Sequence, residues 1–564
     1  MSDRRGAYVL LSGNDTKTDG RISRTFSWLG EHMQPVRQKR RFLLLLSCTV
    51  LVTLVVLCHP AALKTSRPPT DQHLERLAGT HLAHLSAPLT GHGFSTLHNE
   101  TAFIVGKHHA VLGRYSRDYQ WVEPESRLPF KYIMRTNGMN NNAMGRMPAG
   151  SPYDVLVVAR GRNDLYIDPT EKISYANLTI VGFFANFNPT TKTWVRAGPE
   201  PYVLELPIWR QFPRPCKNLV NGGAADPRFM WSDAGEPLAV IGTSSRVPGV
   251  CKAVGLADLR AVWPGLKAHL EEIGYGHIPI RFDNFTEVGK EGKKMPYEKN
   301  WAPFFPGPEP ATPITQNLPW YSSLFGSRRT IPATPSWPLF ASQIANRSIV
   351  EVDTSLDTNQ RSPSSYVLAK EIDLSLHVND TVSMADSSCL MQSLPHSWDP
   401  RTLHQATPLY RVTFCPRDTC VPSRENTVLL GLIHRKMGRR SYRRVGECLP
   451  NRHLLCRMFV TMSTEAPFQI LSVSPPLHFG SVEIDHDVVF SVSMAFFPTK
   501  SVGELAEGES PFRESQDLPG GYLGHGWLDD TIVIGAGLRD EAYDSIHLPM
   551  STALRGHTLC SSGV

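Results

Sequence analysis

Short runs of apolar and β-branched residues, separated by turn-forming residues, recur along the chain from about residue 100 onward. Such runs, bounded by Gly, Pro, Asn and Asp, predict β-strands. The clearest predicted strands cover residues 153–160, 178–184, 238–242, 428–434, 458–462, 488–494 and 531–534. This pattern is typical of a sandwich, a barrel or a propeller. The strand-rich region is too long for one simple sandwich, and a propeller accommodates such a length by adding blades. We therefore predict an all-β, propeller-like domain.

Two segments depart from the strand pattern. Apolar residues at helical spacing predict one helix over residues 256–273, with a break at Pro264. Residues 302–340 are rich in proline and in large aromatic residues. Proline at this density excludes a regular helix or a central strand. We therefore predict that residues 302–340 form an ordered insertion within the domain.

The N-terminus has the layout of a membrane anchor. Residues 1–41 are polar and end in the basic cluster 37–41, and residues 42–63 contain no Asp, Glu, Lys or Arg. The strongly apolar part, residues 42–57, is shorter than the ~20 residues that span an average bilayer but lies within the lower end of the range, and the apolar character continues weakly to residue 63. The basic flank keeps residues 1–41 cytosolic and places the rest of the chain in the lumen. We predict a single-pass type II protein of the Golgi or ER membrane, with a stem over residues 64–95 and a lumenal domain over residues 96–564.

Two other interpretations of this apolar run are a cleaved signal peptide and a buried core helix. The leader is long for a signal peptide, and a core helix does not explain the abrupt basic boundary. Five Asn-x-Ser/Thr sequons beyond the run agree with a lumenal placement.

Composition narrows the classes of function. The net charge of +6 over 564 residues is small, and it gives no reason to expect a nucleic-acid partner. Eight of the ten cysteines lie beyond the apolar run, so four disulfides can form, and their pairing stays open. Because no pair of Cys-x-x-Cys motifs occurs, a structural zinc site is not expected.

Acidic residues precede strands in three segments that are far apart in the sequence. They are Asp226, in Asp226-Pro227-Arg228, the cluster 483–487, and the pair Asp529 and Asp530, which follows His525 and Trp527. We expect these segments to converge on one site. Proline fixes the backbone beside a carboxylate, and such an acid next to a cation can act as a general base toward a sugar hydroxyl. The alternative for the first segment is a turn with a surface ion pair.

Two further segments carry groups that suit a sugar or a phosphate. In the first, Lys299 and Asn300 can bind hydroxyls or phosphate, and Trp301 can stack on a sugar ring. The alternative is a charged loop with a buried tryptophan. In the second, His434 and Arg435 precede several more basic residues and can neutralise a diphosphate. The alternative is a basic surface run.

No cofactor is firmly implied. Asp485-His486-Asp487 has the Asp-x-Asp pattern that binds a divalent cation, Mn²⁺ or Mg²⁺, on a nucleotide diphosphate. It does not follow a nucleotide-binding βαβ unit, and the chain has no P-loop, no Gly-x-Gly-x-x-Gly and no Gly-x-Ser-x-Gly.

Four segments, 226–228, 298–304, 431–436 and 525–530, occur in an order that resembles the fungal β-mannosyltransferases of glycosyltransferase family 91, and the resemblance covers about residues 100–550. The resemblance implies a secretory-pathway enzyme that transfers mannose from GDP-mannose, with inversion, to a mannan or to an N- or O-glycan, forming β-1,2 linkages. The layout also resembles the five-bladed propellers of mannoside phosphorylases. It therefore implies a five-bladed β-propeller-like catalytic domain behind an N-terminal transmembrane helix.

The resemblance also implies roles for individual residues. Asp226 is the expected general base, and Asp529 or Asp530 would hold mannose hydroxyls or supply the base instead. The expected donor- and substrate-binding residues are Arg228, Lys299, Asn300, Trp301, His434, Arg435, His525 and Trp527. Within this set, Lys299, His434 and Arg435 would face the diphosphate, and Trp301 and Trp527 would stack on sugar. The rivals are a phosphorylase or hydrolase on the same scaffold and a non-catalytic sugar-binding propeller.

Overall fold

The described part of the chain belongs to the larger of two compact units. The chain divides into residues 1–66 and 67–564. The computed structural model describes residues 94–97, 101–105, 107–112, 120–122, 132–136, 140–168, 173–206, 224–245, 252–283, 285–290, 300–306, 338–344, 348–352, 366–371, 390, 403–417, 419–436, 455–478, 489–498, 523–538 and 542–560. The predicted tail and anchor lie outside these ranges. Within them, no helix has the length and apolar character needed to cross a membrane.

The described chain is mostly β-strand. The strands are β1 Phe94–Leu97, β2 Thr101–Val105, β3 Lys107–Leu112, β4 Gln120–Val122, β5 Tyr132–Thr136, β6 Asn140–Arg146, β7 Val155–Asp168, β8 Ile173–Asn188, β9 Thr193–Val203, β10 Ala225–Trp231, β11 Pro237–Ser244, β12 Lys252–Asp258, β13 Thr286–Lys290, β14 Ala302–Phe304, β15 Leu339–Gln343, β16 Ser348–Val352, β17 Tyr366–Glu371, β18 Leu403–Gln405, β19 Tyr410–Thr413, β20 Thr427–Lys436, β21 Leu455–Met462, β22 Ile470–His478, β23 Val489–Pro498, β24 Gly526–Trp527, β25 Asp530–Leu538, β26 Ala542–Pro549 and β27 Thr558–Leu559. The helices are α1 Leu259–Val262, α2 Pro264–Glu272, α3 Met550–Ala553 and a 3₁₀ turn, Tyr275–His277.

Twenty of these strands form five antiparallel meanders of four strands each. In chain order the meanders are β6–β9, β10–β13, β14–β17, β19–β22 and a fifth made of β23, β25, β26 and β3. The last strand of the fifth meander, β3, comes from the beginning of the described chain and pairs antiparallel with β26. Parallel pairs join the outer strands of neighbouring meanders, β13 with β17 and β3 with β9.

Each meander shares buried apolar residues with the next one in chain order, and the fifth shares them with the first. The residues that illustrate these shared cores are Phe184 and Ile241, Leu256 and Phe340, Phe304 and Val460, Leu430 and Ile534, and Phe497 and Val157. All ten are buried. Because both faces of most strands are covered, those strands are continuous apolar runs without the alternation of a half-exposed sheet.

The prediction of a β-rich domain is confirmed, and the seven predicted strands between residues 153 and 534 fall within observed strands to about two residues. The predicted helix over 256–273 is confirmed in part. Its first residues complete β12, and the rest divides into α1 and α2 on either side of Trp263. Pro264 occupies the first position of α2, where its missing N–H costs nothing. The five-bladed propeller itself stays a prediction.

The predicted insertion 302–340 begins and ends in strands. Residues 302–304 form β14, residues 339–340 belong to β15, and residues 307–337 lie outside the described ranges. β14 pairs only with β15 and lies at the edge of its sheet, which is where a strand tolerates Pro303.

Candidate active site

Arg228 connects three first strands of the meanders close to the points where they begin. Its side chain is buried, and its Nε donates to the carbonyl oxygen of Ala406 at 2.8 Å. Its Nη2 donates to Asn300 Oδ1 at 3.1 Å and to the carbonyl oxygen of Gln405 at 3.2 Å. Burial lowers the pKa of Arg228 to about 10, while the nearby Asp226 and Tyr410 act in the opposite direction. A buried cation therefore holds β10 to the segments that lead into β14 and β19.

Asp226 lies beside this cation, in a bulge at the start of β10. The register with β11 shifts between Ala225 and Arg228, and Asp226 has a φ of 48°. Asn141 Nδ2 donates to Asp226 Oδ1 at 2.8 Å, and Arg160 Nη1 lies 3.7 Å from the same oxygen. The Asp226 side chain keeps 34% of its surface exposed. It is a carboxylate that is fixed on one side and open on the other.

Three residues with left-handed backbone begin or precede strands in this region. Asn141, Asp226 and Asn300 have φ angles of 50°, 48° and 63°, and they belong to or immediately precede the first strands of three different meanders. Lys192 and Phe468 are the other non-glycine residues with positive φ among the described ranges. Asn and Asp tolerate this conformation better than other side chains, and it still carries strain, which in proteins concentrates at functional sites.

His434 is buried on the Arg228 side of this region. Its ring centroid lies 4.9 Å from that of Phe490, edge to face, and its Nε2 accepts a long hydrogen bond of 3.4 Å from the Ser491 amide. Its Nδ1 is buried without a hydrogen-bond partner among the described residues. Burial, reinforced by the charges of Arg457, Arg228 and His404, lowers the pKa of His434 well below its ordinary value. His434 is therefore a neutral donor in a cationic environment.

Arg435 does not share this position. Successive side chains of a strand point to opposite faces, so the Arg435 side chain lies on the other face of β20 from His434. Its cross-strand neighbours are Leu403 and Cys456, whereas those of His434 are His404 and Arg457.

The predicted sugar-stacking tryptophans are structural in the free protein. Trp301 is 2% exposed and packs in the core, with its ring centroid 5.8 Å from that of Phe340. Trp527 is also 2% exposed, and the Arg417 guanidinium lies 5.6 Å from its ring centroid. Stacking needs an open ring face, so the predicted role is wrong for both rings as the structure places them.

The second acidic pair forms a tight structural cluster. Asp530 is buried and accepts two hydrogen bonds from Arg417 Nη2, at 2.8 and 2.9 Å, and one from the Trp527 amide at 2.8 Å. Asp529 is exposed and accepts from the Arg417 amide at 2.8 Å. His525 is buried with its Nε2 2.6 Å from Thr413 Oγ1. Burial raises the pKa of Asp530 against the opposing effect of Arg417, and burial also lowers the pKa of His525.

This cluster lies at the opposite end of the strands from Asp226. β10 begins near Asp226 and ends at Trp231, and a Cβ on Gly524 would lie 3.2 Å from the Trp231 carbonyl oxygen. Asp226 begins the first strand of a meander, whereas Asp530 begins the second strand of another. First and second strands run in opposite directions, so their starting points lie at opposite ends. The prediction that Asp226 converges with Asp529 and Asp530 is therefore wrong.

Some of the predicted site residues lie together in the structure, and others lie outside the described residues. The structure brings Asp226, Arg228 and Asn300 together, and the charge of Arg228 helps to lower the pKa of His434. Lys299 and the Asp-x-Asp motif 485–487 lie outside the described residues. Within the described ranges, no group of three or more His, Cys, Asp and Glu side chains is arranged to hold a metal ion.

Two residues of the site were missed in the sequence analysis, Asn141 and Arg160. A signal for the first was present, because residues 140–142 are three consecutive asparagines. Asparagine is enriched where the backbone turns left-handed, so the triplet indicates a bulge or turn at the start of a strand. Arg160 gave no signal, because it lies at the end of an ordinary predicted strand.

Comparison with known proteins adds little to this description. No family model matches the chain, and no curated protein matches it. One solved structure that matches is a glycosyl hydrolase from Bacteroides ovatus, at 10% identity over 81% of this chain and 97% of that one, with a TM-score of 0.35. A match at this level decides neither the fold nor the function.

Proposed function

We propose that this protein is an inverting β-mannosyltransferase with Asp226 as its general base. The observation that carries the proposal is the setting of Asp226. It is a half-open carboxylate in strained backbone, held by Asn141 and flanked by the cations Arg160 and Arg228. An acid in such a setting is a candidate to accept a proton, and nearby cations favour a departing anionic group.

The proposed reaction uses one base and one anionic leaving group. Asp226 takes the proton from an acceptor hydroxyl, whose oxygen forms the new bond to C1 of mannose. The bond from C1 to the diphosphate breaks on the opposite face, so the α-linked donor gives a β-linked product and free GDP. Arg160 is our candidate for stabilising the diphosphate among the described residues, and Lys299 remains one by its place beside Asn300. His434 is fully buried, so a direct contact with the diphosphate is not part of the proposal.

The position of the acidic pair supports transfer over hydrolysis. A glycosidase places two carboxyl groups across the scissile bond, ~5 Å apart in retaining enzymes and up to ~10 Å apart in inverting ones. Asp529 and Asp530, the other acids predicted for the site, lie at the opposite end of the strands from Asp226. Among the described residues, Asp226 is the acid that this site offers as a base, and one base suits a donor that already carries a good leaving group.

The strand topology supports the proposed scaffold, a five-bladed propeller. Five successive four-stranded antiparallel meanders, each sharing its core with the next, are the arrangement that blades have. A fifth meander completed by β3 from the beginning of the domain would close the ring. Asp226, Asn300 and Asn141 would then lie around its central funnel.

The disulfide between Cys415 and Cys420 supports the proposed lumenal location. Disulfides persist in oxidising compartments and are rare in the cytosol. We propose a single-pass type II protein of the Golgi or ER membrane, with the catalytic domain in the lumen.

The test is incubation of the full-length protein with GDP-mannose and α-mannan, followed by linkage analysis of the product. We expect release of GDP and new β-1,2-linked mannose. Release of free mannose from β-mannan without GDP-mannose would favour a hydrolase, and formation of mannose 1-phosphate from β-mannan and inorganic phosphate would favour a phosphorylase. Saturable mannan binding with no turnover in any of these assays would favour a non-catalytic sugar-binding protein.

A further inference from the structure

The two oxygens of the Asp226 carboxylate are in different situations. Oδ1 accepts the hydrogen bond from Asn141 and faces Arg160. Neither of these contacts involves Oδ2, and the side chain is one-third exposed. A carboxylate can rotate about its terminal bond unless a directional partner holds one oxygen. The Asn141 amide is the directional partner here, because Arg160 at 3.7 Å is beyond hydrogen-bonding distance.

Asn141 is itself held firmly from two sides. It is 2% exposed, and its left-handed backbone lies in a bulge where the register between β6 and β7 shifts from Asn140 to Ala143. Its other neighbour is Gly537 of β25. A Cβ on Gly537 would lie 2.8 Å from the backbone nitrogen of Asn141 and still closer to the side-chain oxygen, Oδ1. The missing side chain of Gly537 therefore leaves the space that the Asn141 amide occupies.

The hydrogen bond joins two separate meanders at the open carboxylate. Asn141 belongs to the first meander, Asp226 to the second and Gly537 to the fifth. A buried amide that served only to cap its own bulge would bond to nearby backbone, as asparagines in turns do. This one directs an N–H across the junction to a carboxylate 85 residues away in the sequence.

We infer that Asn141 is a positioning residue for Asp226, and this inference rests on the proposed role of Asp226 as the base. By holding Oδ1, Asn141 directs Oδ2 toward the acceptor hydroxyl. Gly537 is required for this arrangement because any side chain there would displace the amide.

Two substitutions separate positioning from folding. Asn141→Gly removes the amide at a backbone position where glycine is unstrained. Asn141→Asp keeps the size and the tolerance of left-handed backbone and replaces the donor with a second carboxylate, so the two acids resist simultaneous ionisation. The cations that face Asp226, Arg160 and Arg228, are unchanged in both. Lys192→Gly is the matched control, because Lys192 has a φ of 53° on an exposed turn.

The first readout does not depend on activity. In the full-length protein, coupling of an amine to Asp226 by a carbodiimide is quantified by mass spectrometry from acidic to neutral pH. We expect the pH profile of labelling at Asp226 to move to higher pH in Asn141→Asp, and to stay unchanged in Lys192→Gly. An unchanged profile in Asn141→Asp, with the protein folded, overturns the inference whether or not the protein transfers mannose.

The second readout is the pH dependence of transfer. We expect Asn141→Gly to lower kcat about 10- to 100-fold with a small change in KM, which is the size of effect that a displaced catalytic group produces. We expect the acid limb of kcat against pH to move upward in Asn141→Asp. If the wild type transfers mannose and both variants match it, the inference fails while the proposed function stands. If the wild type does not transfer mannose but the labelling profile moves, the proposed function fails and the contact is real.

Discussion

Asp226 and Asp530 lie at opposite ends of the strands, and their surroundings are opposite in character. At one end, Asp226 is one-third exposed, has a single neutral hydrogen-bond donor and lies 3.7 Å from the nearer arginine. At the other end, Asp530 is fully enclosed and accepts three hydrogen bonds from Arg417 and the Trp527 amide. An acid that is enclosed and bonded in this way is not accessible to a substrate. The comparison teaches that the acid with the weaker partners is the better candidate for chemistry.

The ends also differ in how the backbone is used. Asp226 has left-handed backbone, and so do its neighbours Asn141 and Asn300. The Asp530 end contains the disulfide-closed loop 415–420, whose Arg417 reaches across to β25. The Asp226 end contains strained backbone, which is typical of functional sites. At the Asp530 end the disulfide lowers the conformational entropy of the unfolded chain, which is typical of an element that stabilises the fold.

The largest expected effect is the loss of transfer in Asp226→Asn. Removal of a general base typically costs about 10²- to 10⁴-fold in kcat. Asparagine keeps the shape and tolerates the left-handed backbone, so the free energy of unfolding should change little. The measurement is kcat for mannose transfer together with thermal unfolding of the full-length protein. Full activity in this variant would remove Asp226 from the role of base.

The next effect is the destabilisation caused by Asp530→Asn. The substitution leaves Arg417, whose side chain is only 11% exposed, without its charge partner, and loss of one partner of a buried pair typically costs about 3–5 kcal/mol of stability. Glu465→Gln is the matched control, because its ion pair with Arg424 (2.8 Å) is more exposed and such pairs contribute about 1 kcal/mol or less. Chemical denaturation of both variants checks the difference. A stable Asp530→Asn protein that had lost transfer would reverse our assignment of the two ends.

A smaller effect should follow from removing the disulfide. The double substitution of Cys415 and Cys420 by serine opens a loop of five residues, for which chain entropy predicts a loss of about 2 kcal/mol. Since the loop lies at the Asp530 end, kcat should be unchanged under conditions in which the variant is folded. A fall in kcat comparable to that of Asp226→Asn would mean that the two ends are coupled.

The last effect is absent at neutral pH and develops only as pH falls, and it should be equal at the two ends. His434 and His525 both have pKa values lowered by burial, so in the folded protein they stay neutral where the unfolded chain takes up protons. Their contribution to stability is therefore fully present above the ordinary histidine pKa of about 6.5 and is lost as pH falls toward the folded values, by about 1.4 kcal/mol per pH unit for each histidine.

Substitution of either histidine by asparagine should reduce this loss by half, as measured by denaturant unfolding at several pH values. A different result at the two ends would show that one histidine is charged in the folded protein.

Much of this architecture follows from local pattern. The β-branched run 531–534, the apolar run 238–242 and the break at Pro264 each act through the backbone over a few residues, so their outcome does not depend on distant contacts. Asp226 could also be identified from the sequence. The adjacent Pro227 restricts the backbone and Arg228 supplies a nearby positive charge, and both effects are local.

Only the tertiary structure decides which acidic residues lie close together. The sequences around Asp226 and Asp530 look alike, an acid before a strand, and nothing local states that one strand is the first of its meander and the other the second. Direction alternates along a meander, so this difference in order sends the two acids to opposite ends. Likewise, Asn141 and Gly537 acquire their significance only through a contact between the first and fifth meanders, since the space that a missing side chain leaves is defined by whatever packs against it.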